Sequence, residues 1–341
     1  MARNSSIYLC LLAMIGLAVA TLGSPARAAH RDPGPAAYLD HALHLLRTKH
    51  INRAAADWPT IEATARARIR DAKTSTDTYP AIREVLERLG EKHSVLVEAR
   101  PKRHAGFASG NSAQPVPAMQ MPLPRGIIAR ARVGVVWLPS LNTLGDGGLA
   151  AGRRYASELR SVLARLDGEA ACGWLVDLRQ NGGGNMWPML NGLDPLLGKA
   201  PFGHFVVSAS GTQRWVRTAE GIAASSDVPP AGEPGFFLKH ADAPVAVLIG
   251  PQTASSGEMV AIALLGRSDV RTFGAPTAGL STANETYPLG DGAMLAITTM
   301  TVRDRLGRDY RGPIGPDQRT EGDATEIAAI EWLEASCHSK Y

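Results

Sequence analysis

Two adjacent hydroxyls, Ser255 and Ser256, stand in GPQTASSGEMVAIALLG (250–266), where the apolar run VAVLI (245–249) gives way to a helical pattern. A serine in the first turn of a helix behind a buried strand has unsatisfied N–H groups and the positive end of the helix dipole beside it. That setting suits a nucleophile whose attack creates an oxyanion, so the chemistry to consider is acyl transfer. The same residues also read as a helix cap, a role open to Thr253, Ser255 and Ser256. Two other serine-hydrolase arrangements are excluded: GxSxG is absent, and Glu258 stands where SxxK after Ser255 would need a lysine. A second stretch, DLRQNGGGN (177–185), places three glycines after an apolar run, where backbone can approach a ligand and present N–H groups. Neither a phosphate-binding loop nor a dinucleotide fingerprint fits it. His93 stands in EKHSVLV, just after the helix stop at Gly90, and leads into the β-rich Val95 to Val97. His41, His44 and His50 lie on or beside the first helical pattern and read as solvated.

The elements that must position these residues are legible from periodicity. Helices are expected over 36–49, with Leu39, Leu43 and Leu46 on one face, and from Pro59, with Ile61, Ala65 and Ile69 spaced by four. A third opens at Pro80, sets Ile82, Val85, Leu86 and Leu89 on one stripe, and stops at Gly90. Together they make an N-terminal helical unit over 31–90. Beyond it, VGVVWL at 133, GWLVDL at 173 and VAVLI at 245 read as near-continuous apolar strands, with a helix over 153–166 between the first two. Such alternation indicates an α/β layer covered on both faces. Hairpins are expected at 290–292 and near Gly307, and an amphipathic helix over 321–341 around Ile327, Ile330 and Leu333. The Pro- and Ser-rich residues 101–124 read as a linker or loop, and 210–243 as a cap over the cleft.

Residues 1–28 carry Arg3, an apolar run and the triplet Ala26, Arg27, Ala28, which together read as a cleaved secretory signal. The apolar run falls short of the ~20 residues a bilayer span needs, so no integral membrane span is expected in the mature chain. Without Arg3 and Arg27 the formal charge falls from +4 to about +2, which gives no footing for nucleic acid. Cys172 and Cys337 are the cysteines that survive processing, and in an oxidising compartment we expect them to pair. Neither sits in a CxxC or His-rich setting, so no metal is expected.

In this order, the stretches resemble the C-terminal processing, or tail-specific, serine peptidase family. The resemblance rests on His93 and Ser94 after a helix, DLRQNGGG, VLIGPQTASSGE, FGAPTAGLST (273–282), LGDGAMLAITT and the pair Pro316–Asp317. It covers most of the chain from about residue 80, and in layout it is similar to the nisin-resistance-protein branch, with no evident PDZ domain. It implies an α/β, crotonase/ClpP-like peptidase core over 91–320 behind the small helical unit, and no cofactor. It implies Ser255 as nucleophile, with backbone N–H groups of Ser256 and of Gly182, Gly183 or Gly184 as the oxyanion hole. Leu280 stands where many bacterial members carry a lysine base, which leaves the family's Ser–His variant with His93 as base. The residue orienting His93 is open among Glu285, Asp291, Asp309 and none, and Glu258 reads as a helix-terminus charge. The expected protein is an exported serine peptidase, periplasmic or extracellular, acting on peptide or protein substrates. The alternatives are a non-catalytic peptide- or apolar-ligand-binding module on the same fold, kept open by the missing lysine, and an esterase using the same dyad.

Overall fold

The computed structural model describes residues 34–99, 122–143, 147–170, 172–207, 211–226 and 235–338. The signal segment 1–28 and residues 101–121 of the expected linker lie outside the described residues. The chain opens with three helices, α1 (Pro35–Lys49), α2 (Trp58–Arg68) and α3 (Tyr79–Arg88). Asp57 caps α2 by accepting from Thr60 N–H, and α3 stops where Gly90 adopts φ 69, the left-handed conformation that a C-terminal glycine supplies without strain. These three helices do not stand apart from the rest. Their apolar faces, including Leu39, Leu46, Ile82 and Val85, share one core with Leu96, Leu289, Leu295 and Ile297.

Those last four residues belong to or flank a seven-stranded sheet. Its order is β1 (Val95–Val97), β11 (Met294–Asp304), β5 (Gly203–Val207), β6 (Gly211–Thr218) and β7 (Gly221–Ser225). Strands β10 (Ala283–Pro288) and β12 (Asp309–Tyr310) pair with β11 as the two expected hairpins. A six-stranded sheet carries β13 (Gln318–Arg319), β9 (Val270–Gly274), β8 (Val245–Ile249), β4 (Gly173–Asp177), β3 (Val133–Trp137) and β2 (Arg125–Ala129) in that order. All neighbours in it run parallel except β2 with β3.

Both faces of the six-stranded sheet are covered, which is why its strands read as continuous apolar runs. Val245, Val247 and Ile249 point into the main core with α4 (Gly148–Leu166), α5 (Met186–Leu197) and α6 (Ser256–Leu264). Ala246 and Leu248 point the other way, under Ala329, Ile330 and Leu333 of α7 (Ala324–His338). A disulfide between Cys172 and Cys337, S–S 2.04 Å, ties the end of α7 to the start of β4. Among the described residues no helix is long and apolar enough to cross a membrane.

One expectation needs correction. Residues 211–225, taken as part of a cap over the cleft, form the β6–β7 hairpin that extends the seven-stranded sheet. Trp215 and Ile222 are buried there, Trp215 against Phe205 and Trp187, and Asn191 of α5 binds Ile222 N–H at 2.8 Å. Apolar side chains of that size stabilise the hairpin only when buried, and the sheet and α5 supply the surface. Residues 227–234 of the expected cap lie outside the described residues.

Candidate active site

The turn between β8 and α6 holds Ser255 at φ 50, ψ −118, a conformation rare for a residue with a side chain. Such strain costs on the order of 1–3 kcal/mol and persists only where the surroundings over-determine it. Here they do. Thr253 Oγ1 accepts from Gly250 N–H at 3.0 Å and donates to Leu178 O at 2.8 Å, and Ala254 N–H donates to Asn181 O at 3.0 Å. Ser255 N–H donates to Glu258 Oε2 at 3.0 Å, and Ser256 Oγ donates to Gly184 O at 2.7 Å. Glu258, fully buried, also accepts from Thr277 Oγ1 and Gly279 N–H, so one carboxyl joins the serine turn to the loop at 277–282. Burial pushes this carboxyl above the usual range, and those hydrogen bonds work against the rise. Glu258 is thus more than a charge at a helix end.

His93 reaches the same point from a stretch 162 residues earlier, with Nε2 2.9 Å from Ser255 Oγ. Its Nδ1 lies 2.9 Å from Thr282 Oγ1. Its backbone is held on both sides, N–H donating to Glu91 Oε1 at 2.5 Å and C=O accepting from Asn284 Nδ2 at 2.8 Å. Burial lowers the imidazole below its ordinary range, and the Glu91 charge opposes that drop. The ring is therefore neutral at neutral pH, with one nitrogen able to take a proton.

Gly183 closes the third side. A Cβ built there would fall 2.8 Å from Ser255 Cβ and 2.9 Å from Ala254 O, at φ 104, so only glycine lets the NGGG backbone approach the serine this closely.

Residues 132–320, more than half of the chain, match the sequence profile of peptidase family S41. The chain belongs to this family. It is 28% identical over 308 residues to the nisin-resistance protein of Lactococcus lactis subsp. lactis, covering 89% of this chain and 88% of the relative. Among solved structures it is similar to a lipoprotein from Streptococcus agalactiae, with TM-score 0.72 and 24% identity over 89% of this chain and 98% of that one. The photosystem II D1 C-terminal processing protease gives TM-score 0.54 and 15% identity, covering 86% of this chain and 95% of that one. At these identities the solved structures speak for the fold alone, and it is the ClpP-like fold of tail-specific peptidases.

Within this S41 chain the orienting group that the sequence left open can be followed to its partners. The candidates for orienting His93 all bond elsewhere. Asp291 accepts from the Tyr38 and Tyr79 hydroxyls at 2.7 and 2.5 Å, Glu285 from Tyr287, and Asp309 pairs with Arg303. Each is drawn to a donor on its own hairpin or on the helical unit, and the His93 ring meets Thr282 instead. Two of the three glycine N–H groups have partners. Gly182 N–H donates to Ser140 Oγ at 2.8 Å and Gly183 N–H to Asn181 Oδ1 at 3.0 Å. Ser256 N–H, on the first residue of α6, sits where the helix dipole favours negative charge. Leu280 is half-buried within the loop at 277–282.

Thr282, Asn284, Glu91 and Asn181 escaped the sequence reading. Thr282 lies inside the quoted FGAPTAGLST and Glu91 inside EKHSVLV, but a hydroxyl or carboxylate near a motif has no periodic signal that marks its partner. Depressions open at both ends of the 180–185 turn. One of about 730 Å³ is walled by Asn185, Trp187, Leu149, Arg153 and Arg160, and one of about 440 Å³ by Gln180, Pro251 and Gln252.

Proposed function

We propose that the protein is an exported serine peptidase that cleaves polypeptides through an acyl-enzyme on Ser255, with His93 as general base. The observation that carries this reading is the 2.9 Å contact of His93 Nε2 with Ser255 Oγ at a strained strand-to-helix turn. In the competent tautomer Nδ1–H donates to Thr282 Oγ1 and the Nε2 lone pair faces the serine. Ser255 Oγ attacks the scissile carbonyl carbon as its proton passes to Nε2, and the carbonyl electron pair becomes an oxyanion. Ser256 N–H and the α6 dipole stabilise that charge. Gly183 N–H joins them once its bond to Asn181 Oδ1 is given up. The oxyanion collapses, the C–N bond breaks, and His93 hands its proton to the leaving amine. A water then repeats the sequence on the acyl-enzyme and frees Ser255.

The disulfide supports an oxidising compartment outside the cytoplasm. Membership of a peptidase family supports polypeptide substrates, and the relative named for nisin resistance makes nisin a peptide to assay. A second reading, a binding module without turnover, is favoured by the glycine N–H groups already bonded to Asn181 and Ser140 and by leucine at 280.

A fluorophosphonate probe decides between them. The peptidase reading expects one label, on Ser255 by mass spectrometry, lost in Ser255→Ala and retained in Ser256→Ala, whose hydroxyl serves Gly184. Folded protein that takes no label supports the binding module. A label on Ser256 overturns the nucleophile.

A further inference from the structure

The turn that carries His93 holds a second ionisable group for which the acyl-transfer steps have no use. Glu91 Oε1 accepts from His93 N–H at 2.5 Å, and Oε2 accepts from Ser94 N–H at 2.8 Å. Thr298 Oγ1, in the middle of β11, lies 2.8 Å from both Glu91 Oε2 and Asn284 Oδ1. Asn284 in turn holds His93 C=O. Thr298 thus joins the two groups that grip the base by its backbone, one at the N–H and one at the carbonyl.

The same carboxylate faces the helical unit. His50, fully buried at the end of α1, accepts Asn52 N–H on Nδ1 at 3.1 Å, so its neutral ring carries the proton on Nε2. That Nε2 has no hydrogen-bond partner among the described residues, and Glu91 Oε2 lies 3.8 Å from it. The next residue, Ile51, donates its N–H to Thr298 O at 2.8 Å. The end of α1, β11 and the base therefore meet at one carboxylate.

We propose that Glu91 is the positioning acid of this site: it fixes the His93 backbone, sets a negative charge beside the ring, and couples the base to the N-terminal helices. In many serine hydrolases an acid touches the imidazole directly. Here Thr282 occupies that place and the acid works from behind, through the main chain. The inference rests on His93 being the base.

The charge is present throughout the working range. Burial alone would raise the Glu91 carboxyl, but His50, Ser94, Thr298 and the His93 N–H together bring it down to about 2. The groups facing Glu91 and His93 are His50 from α1, Thr298 from β11, Asn284 from β10, and Thr282 and Ser255 at the ring. Glu258, the other nearby acid, bonds Ser255 N–H rather than the imidazole.

The test is an NMR titration of the His93 imidazole in the full chain, assigned by its loss in His93→Gln and paired with the fluorophosphonate labelling rate at pH 8. Removing the charge in Glu91→Gln should lower the His93 midpoint by about 0.5 to 1 unit. It should also slow labelling about tenfold or more, because the ring is no longer held. Glu91→Asp keeps the charge and shortens the reach, so labelling slows while the midpoint stays near wild type. A purely structural role would lower Tm and leave the midpoint alone. An unmoved midpoint in Glu91→Gln overturns the proposal, and so does a shifted midpoint in Glu91→Asp, which serves should the glutamine variant not fold. Wild-type protein that takes no label, with the midpoint still falling in Glu91→Gln, removes the peptidase reading and leaves the link between Glu91 and His93 standing.

Discussion

Replacing Thr282 by valine removes one hydroxyl and leaves the shape nearly unchanged. In the competent state His93 carries its proton on Nδ1, where Thr282 Oγ1 accepts it at 2.9 Å, and presents a lone pair to Ser255. Valine leaves that buried N–H without an acceptor, at a cost of about 1–3 kcal/mol. In the competing tautomer, protonated on Nε2, Nδ1 is an acceptor that loses the Thr282 hydroxyl as donor, a smaller loss than an orphaned N–H, and Nε2 has no lone pair to accept the serine proton. The cost therefore falls mainly on the competent tautomer and appears as its lost population, with the figure above as the upper range. At about 1.4 kcal/mol per factor of ten, kcat/KM and the labelling rate of Thr282→Val should drop between about 5-fold and about 150-fold. KM should move little, because Thr282 acts on the base. Thr282→Ser should recover most of the rate. The assay is the second-order rate of fluorophosphonate inactivation at pH 8, beside Tm to show that the fold is intact. A folded Thr282→Val variant reacting within about twofold of wild type would refute the reasoning.

Other consequences can be checked with the same preparation. Gly183→Ala, with its Cβ driven to 2.8 Å from Ser255 Cβ at φ 104, should lower the inactivation rate by about a hundredfold or more, with a smaller loss in Tm. Burial lowers the His93 pKa, and the base must be neutral, so kcat/KM should hold across neutral pH. It should fall on a single acidic limb centred below the ordinary histidine value, and a limb above that value would contradict the burial argument. Thiol counting on unfolded, unreduced mature protein should find no free cysteine, and Cys337→Ser should destabilise the chain by about 2–5 kcal/mol in denaturant titration. Two free thiols would exclude the bond.

The sequence by itself determined the layers and the order of the parts. Continuous apolar runs such as VAVLI, alternating with helices, suit a parallel sheet covered on both faces, and the apolar stripes of α1 and α3 with the glycine stop of α3 fix helix faces and one helix end locally. The ordered stretches DLRQNGGG and TASSGE carried the family, and they named the serine turn and the glycine turn that meet it. What the sequence could not hold was partnership. His93 meets Ser255 across 162 residues, Asp291 is claimed by two tyrosines of the helical unit, and Thr282 stands at the ring nitrogen whose partner the sequence left open. Gly183 N–H is engaged by Asn181, and residues 211–225 join a sheet because Trp215 needs the surface that α5 and β5 offer. Periodicity and propensity are set by neighbours along the chain, so they can be read from it. A hydrogen bond between distant side chains depends on distances that exist only once every layer has packed, and those distances decided which of several chemically able residues stand at the serine.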